Sequence, residues 1–166
     1  MNEIKSVSIE LLAHHPRLIS EVGAIRWAEW GKPPEPVDLE FWVDATRREA
    51  GGDRIPISWV AIDDQGRCAG AVCLLELDVD EFRDRSPWLG GMVVSPAARR
   101  QGVGSRLVGE LEVWAARQGI TRVWVATGPA DGPAEAFYRS CGWSRVDTFV
   151  TASDEVAVVL ERRLDA

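Results

Sequence analysis

Apolar residues recur along this chain with two alternating periods. From Pro16 to Trp30, Leu18, Ile19, Val22, Ile25 and Trp30 fall near one stripe of a helix that Gly31-Lys32-Pro33-Pro34 stops. Asp38 reads as the cap of a second helix carrying Leu39, Trp42 and Val43 inward as far as Glu49, before Gly51-Gly52 turns the chain. Ser58–Ile62 then reads as a strand. Asp63-Asp64-Gln65-Gly66 is a hairpin turn, so Arg67–Leu77 should pair antiparallel with it, followed by a polar loop from Asp78 to Ser86. Trp88–Val94 is the next strand.

Helical spacing returns from Gly102 to Gln118, with Val103, Leu107, Val108, Leu111 and Ala115 on one face and Gly119 as the stop. Arg122–Ala126 has the continuous apolar run of a buried parallel strand, and Gly128–Pro133 turns into a short helix ending near Tyr138. Strands near Trp143–Val150 and Val156–Leu164 close the order ααβββαβαββ. This predicts an α/β sandwich around a mostly antiparallel mixed sheet with a parallel pair in its middle, organised as a single domain over residues 1–166.

Between the strand ending at Val94 and the helix at Gly102 lies Arg99-Arg100-Gln101-Gly102-Val103-Gly104. Backbone N–H groups at a helix N-terminus lack partners within the helix and carry partial positive charge, which suits a phosphate or pyrophosphate. Glycine at 102 and 104 lets phosphate oxygens approach the amides. A P-loop would require Gly-Lys-Ser/Thr, whereas Gly104 is followed by Ser105-Arg106. A dinucleotide fingerprint would require glycine at 107, where Leu107 stands.

The segment, with its Val94-Ser95-Pro96 entry, resembles the acetyl-CoA loop of the GCN5-related N-acetyltransferase (GNAT) superfamily, Arg/Gln-x-x-Gly-x-Gly/Ala, here Arg99-x-x-Gly102-x-Gly104. Downstream, Phe137-Tyr138-Arg139-Ser140-Cys141-Gly142-Trp143 resembles the superfamily's aromatic-Tyr-x-x-x-Gly-aromatic run. The resemblance extends over Pro56–Leu164, with a cofactor core at 86–143. It implies a splayed central parallel strand pair that admits the pantetheine arm of acetyl-CoA, flanked by helices. It implies cofactor contacts at Met92, Val93, Val94, Arg99, Arg100, Gln101, Gly102, Val103, Gly104, Ser105, Asp131 and Tyr138. Asp131 stands where many relatives have Asn, and its carboxylate lacks the amide's donors.

In acetyl transfer a neutral amine attacks the thioester carbonyl, an oxyanion grows, and a thiolate leaves. By resemblance the Met92 N–H serves the oxyanion, Val93 and Val94 hold pantetheine amides, and Tyr138, the only tyrosine in the chain, delivers a proton near the sulfur. An alkyl ammonium with a pKa of about 10 must first lose a proton. The Glu that opens the fourth strand in the histone-acetylating branch is replaced here by Trp88. Glu76 and Asp78, sharing one face at the end of the preceding strand, are the candidate bases, in an acidic rim continued by Asp80, Glu81 and Asp84. Among eight tryptophans, Trp27, Trp30 and Trp42 fall on the two N-terminal helices; Trp27, Trp30 and Trp88 are the substrate-side candidates.

Composition narrows the partners. A net charge of −7 argues against nucleic acid and mildly favours a cationic substrate. With 46% hydrophobic and 27% charged residues, and no apolar run near the roughly 18 residues of a membrane span, a soluble cytoplasmic protein is expected. Met1-Asn2-Glu3-Ile4-Lys5 does not read as a signal peptide. Cys68, Cys73 and Cys141 lack zinc-site spacing, and no disulfide or metal is expected of them. The expected activity is direct acetylation of a small-molecule primary amine such as a polyamine, amino acid or amino sugar. An acetyltransferase acting on protein, a non-catalytic acyl-CoA sensor or assembly module, and a homodimer remain open.

Overall fold

A computed structural model describes residues 6–164 of the chain; the Met1–Lys5 segment used above to argue against a leader lies outside them. Strands β1 (Val7–Leu11), β2 (Ile57–Asp63), β3 (Cys68–Leu75), β4 (Trp88–Val94), β5 (Arg122–Thr127), β6 (Ser144–Val150) and β7 (Val156–Arg163) alternate with helices α1 (Ile19–Trp30), α2 (Leu39–Glu49), α3 (Val103–Arg117) and α4 (Pro133–Ser140). The strands hydrogen-bond in the order β1-β2-β3-β4-β5-β7-β6. The β1–β2, β2–β3, β5–β7 and β6–β7 ladders are antiparallel and β4–β5 is parallel. This is the mixed α/β architecture the sequence predicts.

The described residues form two compact units, one of residues 6–74 with Gly91–Leu111 and one of Leu75–Gly90 with residues 112–164. In the first, Leu12, Leu18, Val22, Val60, Ile62, Ala71 and Val93 pack into one cluster, with Ile19, Ile25 and Trp30 against it. The α1 stripe is therefore largely as predicted. Asp38 caps α2 by accepting from the Glu40 N–H at 3.1 Å. Val43 is buried as expected, but Leu39 departs from expectation at 38% exposure, because α2 turns Thr46 inward with Val43 instead. The first strand, Val7–Leu11, escaped the sequence reading, although its burial alternates residue by residue.

One glycine governs how the predicted anion-binding helix is seated in this unit. A Cβ on Gly70 of β3 would stand 2.7 Å from the Val93 carbonyl oxygen and 3.2 Å from Leu107 Cδ1 of α3. Strand and helix close on this point because position 70 has no side chain. All five apolar positions read for α3 are buried.

In the second unit, Trp88, Trp124 and Val159 form a cluster with Leu75, Val79, Phe82 and Phe149 packed against it. The loop from Asp78 to Ser86 is thus more than a charged run. It contains a short 3-10 turn at Asp80–Phe82 whose Phe82 ring lies 6.3 Å from Trp88. β3 ends at Leu75, so Glu76 and Asp78 lie just past the strand rather than within it.

The Gly70→Ala substitution should lower unfolding free energy by about 1–3 kcal/mol, because the added methyl meets a backbone oxygen that can only move with β4. Chemical denaturation of both proteins under one set of conditions measures this.

Candidate active site

The loop before α3 has the backbone of an anion cradle. Arg100 and Gly102 take left-handed conformations, with φ of 63° and 78°. α3 follows at once, its ladder opening with the Arg106 N–H bonded to Gly102 O at 3.1 Å. The N–H groups of Val103, Gly104 and Ser105 therefore have no acceptor within the helix. A Cβ built at Gly102 meets nothing within 4 Å, so the space beside this amide is open. Arg99, Arg100, Gln101 and Ser105 are exposed, while Val103 anchors the turn in the core.

The loop is held from both sides. Arg99 donates to Val94 O at 3.2 Å and pairs with Glu29 at 3.2 Å, so part of its charge is already spent on α1. Gln101 Nε2 donates to Ala97 O at 3.0 Å. Upstream, Met92 and Val94 are half-buried and Val93 is buried. The residues from Met92 to Ser105 thus form a run from strand through turn to helix.

Tyr138 is placed by the end of α4. The Trp143 N–H bonds Tyr138 O and the Gly142 N–H bonds Arg139 O, each at 3.0 Å, with Gly142 at φ 93°. This is a Schellman cap, and its usual hydrophobic contact is made by Tyr138 and Trp143, with ring centroids 5.7 Å apart. The aromatic-Tyr-x-x-x-Gly-aromatic signature is therefore a helix stop that fixes the tyrosine. Tyr138 is 5% exposed. Burial pushes its phenol above the usual range, and the neighbouring Cys141 and Asp78 charges push the same way, so it keeps its proton at neutral pH.

Asp78 is thereby brought within electrostatic reach of Tyr138, and Asp78, Glu76, Asp80, Glu81 and Asp84 are all exposed. Trp88 is not available to a substrate. It is fully buried, its indole N–H donates to Arg85 O at 2.7 Å, and its faces meet Phe82 and Trp124. A large apolar ring at the start of β4 gains more from this core than from a surface position, which corrects the expectation made from sequence.

On the N-terminal helices, Trp27 donates to Val37 O and Trp42 to Pro36 O, both at 2.9 Å, so two indoles staple the α1–α2 connection. Trp27 remains 39% exposed. Trp30 lies 6.1 Å from Trp42 and packs on the core cluster.

Two charged residues that sequence reasoning missed are buried. Arg26 of α1 is 3% exposed and Glu135 of α4 is 2% exposed. Glu135 accepts from Arg145 Nε at 2.7 Å, from Arg139 at 3.2 Å and from the Asp131 N–H at 2.7 Å. Arg145 also bonds the Asp131 carboxylate at 2.8 Å. Asp131, at φ 62°, is therefore fixed by its amide and its carboxylate at the entry to α4. The spacing of Glu135 and Arg139 across one helical turn was a legible signal for part of this cluster.

These features define a fold built to present a strand, a glycine turn and a helix N-terminus to an anionic ligand. The chain belongs to the acetyltransferase (GNAT) family, whose model matches residues 20–143. Among solved structures it is similar to an aminoglycoside 6'-N-acetyltransferase complexed with coenzyme A (16% identity, 97% of this chain and 98% of that one covered, TM-score 0.74). It is also similar to aminoglycoside 6'-acetyltransferase type Ii (20%, 97% and 98%, TM-score 0.72) and to nourseothricin acetyltransferase (26%, 66% and 65%, TM-score 0.57). No curated protein matches the sequence. Acetyl-CoA is the cosubstrate of the family, and the open, left-handed turn at Gly102 fits its pyrophosphate.

Arg145's hydrogen bonds, outweighing burial and aided by the Asp131 N–H, hold the Glu135 carboxyl down to about 2 from an ordinary 4.5. The unfolded chain therefore binds more protons in that interval, and the stabilisation is complete above pH 4.5 and lost as pH falls toward 2. Wild type should unfold at higher denaturant than Glu135→Gln at pH 6, and the gap should narrow steadily in titrations taken below pH 4.5.

Proposed function

We propose that this protein transfers the acetyl group of acetyl-CoA directly to a primary amine of a small molecule, as a cytoplasmic enzyme. The observation that carries the reading is the pair of left-handed residues, Arg100 and Gly102, opening the N-terminus of α3 within a chain of the acetyltransferase family. Backbone amides of Val103, Gly104 and Ser105 bind the pyrophosphate, assisted by Arg99, Arg100 and Gln101. Val93 and Val94 hold the pantetheine amides, and Asp131 contributes a cofactor contact through its backbone carbonyl, since its N–H is taken by Glu135 and its carboxylate by Arg145.

The Met92 N–H stabilises the oxyanion that develops as the amine attacks the thioester carbonyl. Tyr138, which keeps its proton, supplies that proton as the carbon–sulfur bond breaks. Asp78 and Glu76 take the ammonium proton directly or through water, and Asp78's electrostatic link to Tyr138 favours it of the two. Exposed carboxylates from Glu76 to Asp84 attract a cation, and Trp27, itself 39% exposed, stays a substrate-side candidate. Two of the similar structures bear the name of aminoglycoside acetyltransferases, which supports a polyamine or amino sugar as acceptor.

A second reading, an acyl-CoA sensor without turnover, draws on Trp88, a core tryptophan where the histone-acetylating branch has a glutamate. The two separate on thiol release from acetyl-CoA across a panel of polyamines, amino acids, aminoglycosides and peptides. Acetyl transfer requires turnover with one small amine; coenzyme A binding without turnover across the panel selects the sensor. Tyr138→Phe should lower kcat about 100-fold or more while changing coenzyme A affinity by no more than about threefold by calorimetry. Unchanged kcat would remove Tyr138 from the chemistry.

A further inference from the structure

Arg26 has no part in the chemistry above, yet it is buried beside the peptide bond given the central electrostatic task. Its Nε donates to the Gly91 carbonyl at 3.1 Å. Its Nη1 donates to Thr46 Oγ1 at 3.1 Å and to Glu49 Oε2 at 3.4 Å, and Thr46 Oγ1 in turn donates to Trp42 O at 2.8 Å. The guanidinium is thus fixed by α2 and grips β4. Gly91 has φ 58°, and a Cβ there would lie 2.5 Å from Arg26 Nη2. The cation sits where any other residue at 91 would place its side chain.

The carbonyl that Arg26 holds and the Met92 N–H belong to one trans peptide, in which C=O and N–H point in opposite directions. Fixing the carbonyl toward Arg26 therefore fixes the N–H away from it. Hydrogen bonding of a cation to the carbonyl oxygen also draws electron density from the amide and strengthens its N–H as a donor. This arrangement is costly. Arg26 Nη2 is buried without a hydrogen-bond partner, and a desolvated guanidinium destabilises the fold relative to an apolar residue of similar size.

We propose that Arg26 is a positioning residue that aims and polarises the Met92 N–H toward the thioester carbonyl. The proposal rests on the acetyl-transfer reading and adds a residue to it. Thr46 and Glu49 act one step further out, by holding the guanidinium. Gly91 is required for the same reason, since its left-handed turn brings the carbonyl to Arg26.

The test uses the full chain and acetyl-CoA carrying carbon-13 at the carbonyl, and needs no acceptor. Infrared difference spectra should show the thioester carbonyl band of bound acetyl-CoA at lower frequency than in solution. In Arg26→Met the band should move back toward the free position, while acetyl-CoA affinity changes by no more than about threefold. With an acceptor, kcat should fall about 10-fold or more with little change in KM for acetyl-CoA. Arg26→Lys, which keeps the charge but cannot span Gly91 and Thr46 together, and Thr46→Val should each give an intermediate band shift. These two carry the test if Arg26→Met does not fold. Wild type binding acetyl-CoA without a band shift, or every variant keeping the wild-type shift, overturns the role of Arg26 and leaves acetyl transfer standing. Failure of wild type to bind acetyl-CoA overturns both.

Discussion

The absence of a side chain at Gly70 is the constraint on which the anion cradle depends. A helix N-terminus serves a pyrophosphate only if the strand that feeds it and the helix itself are rigidly seated, because its field is effective over about one turn. Here β3 comes within contact of the Val93 carbonyl and of Leu107 at the same residue. Val103, Leu107 and Leu111 then bury the adjoining face of α3. Ser95 extends the attachment beyond β4, its N–H bonding Ala69 O at 2.9 Å. The left-handed turn at Arg100 and Gly102 thus spans two fixed ends, which limits the entropy that anion binding must overcome.

Buried charge is used here to set backbone geometry. Arg26 reaches from α1 to a carbonyl 65 residues away, and Glu135 bonds an amide four residues before it. Both contacts fall on peptides next to residues with positive φ, Gly91 and Asp131. A left-handed residue redirects the chain, and nothing in its own dihedral preference holds it there. A charged hydrogen bond in a low-dielectric setting supplies that hold. It does so with a directionality that apolar packing lacks.

How much of this was legible follows from the same physics. Periodicity located α3 and its whole apolar face, because Val103, Leu107, Val108, Leu111 and Ala115 bury in the order their spacing requires. The Asp38 cap and the hairpin turn at Asp63 were legible as local chemistry, and Asp63 does accept the Gln65 and Arg67 N–H groups. Val7–Leu11 carried a readable alternation, but a five-residue strand is a weak signal beside the helix that follows. Leu39 and Trp88 failed for opposite reasons: an apolar residue need not be inside, and an aromatic near a site need not face it. Arg26 was beyond reach, and so was the burial of Glu135 beyond its pairing with Arg139, because a charged residue in an amphipathic helix reads as its solvent face until a distant partner is seen.

The motif at the end of α4 shows how a family signature and a physical device coincide. Gly142 is needed because the cap requires a left-handed residue, and a Cβ there would also approach Arg162 Nη1 at 2.9 Å. Trp143 is needed because its ring closes on Tyr138 from the far side of that turn, and its indole N–H is satisfied by Glu112 at 3.0 Å. Tyr138 is consequently locked at the last turn of the helix, and its burial raises the phenol above the usual range. A side chain held this way has little conformational freedom left to lose, and desolvation keeps its proton in place. Stopping the helix and burying the phenol are thus done by the same few residues, and the backbone bonds of the cap do not themselves depend on the hydroxyl.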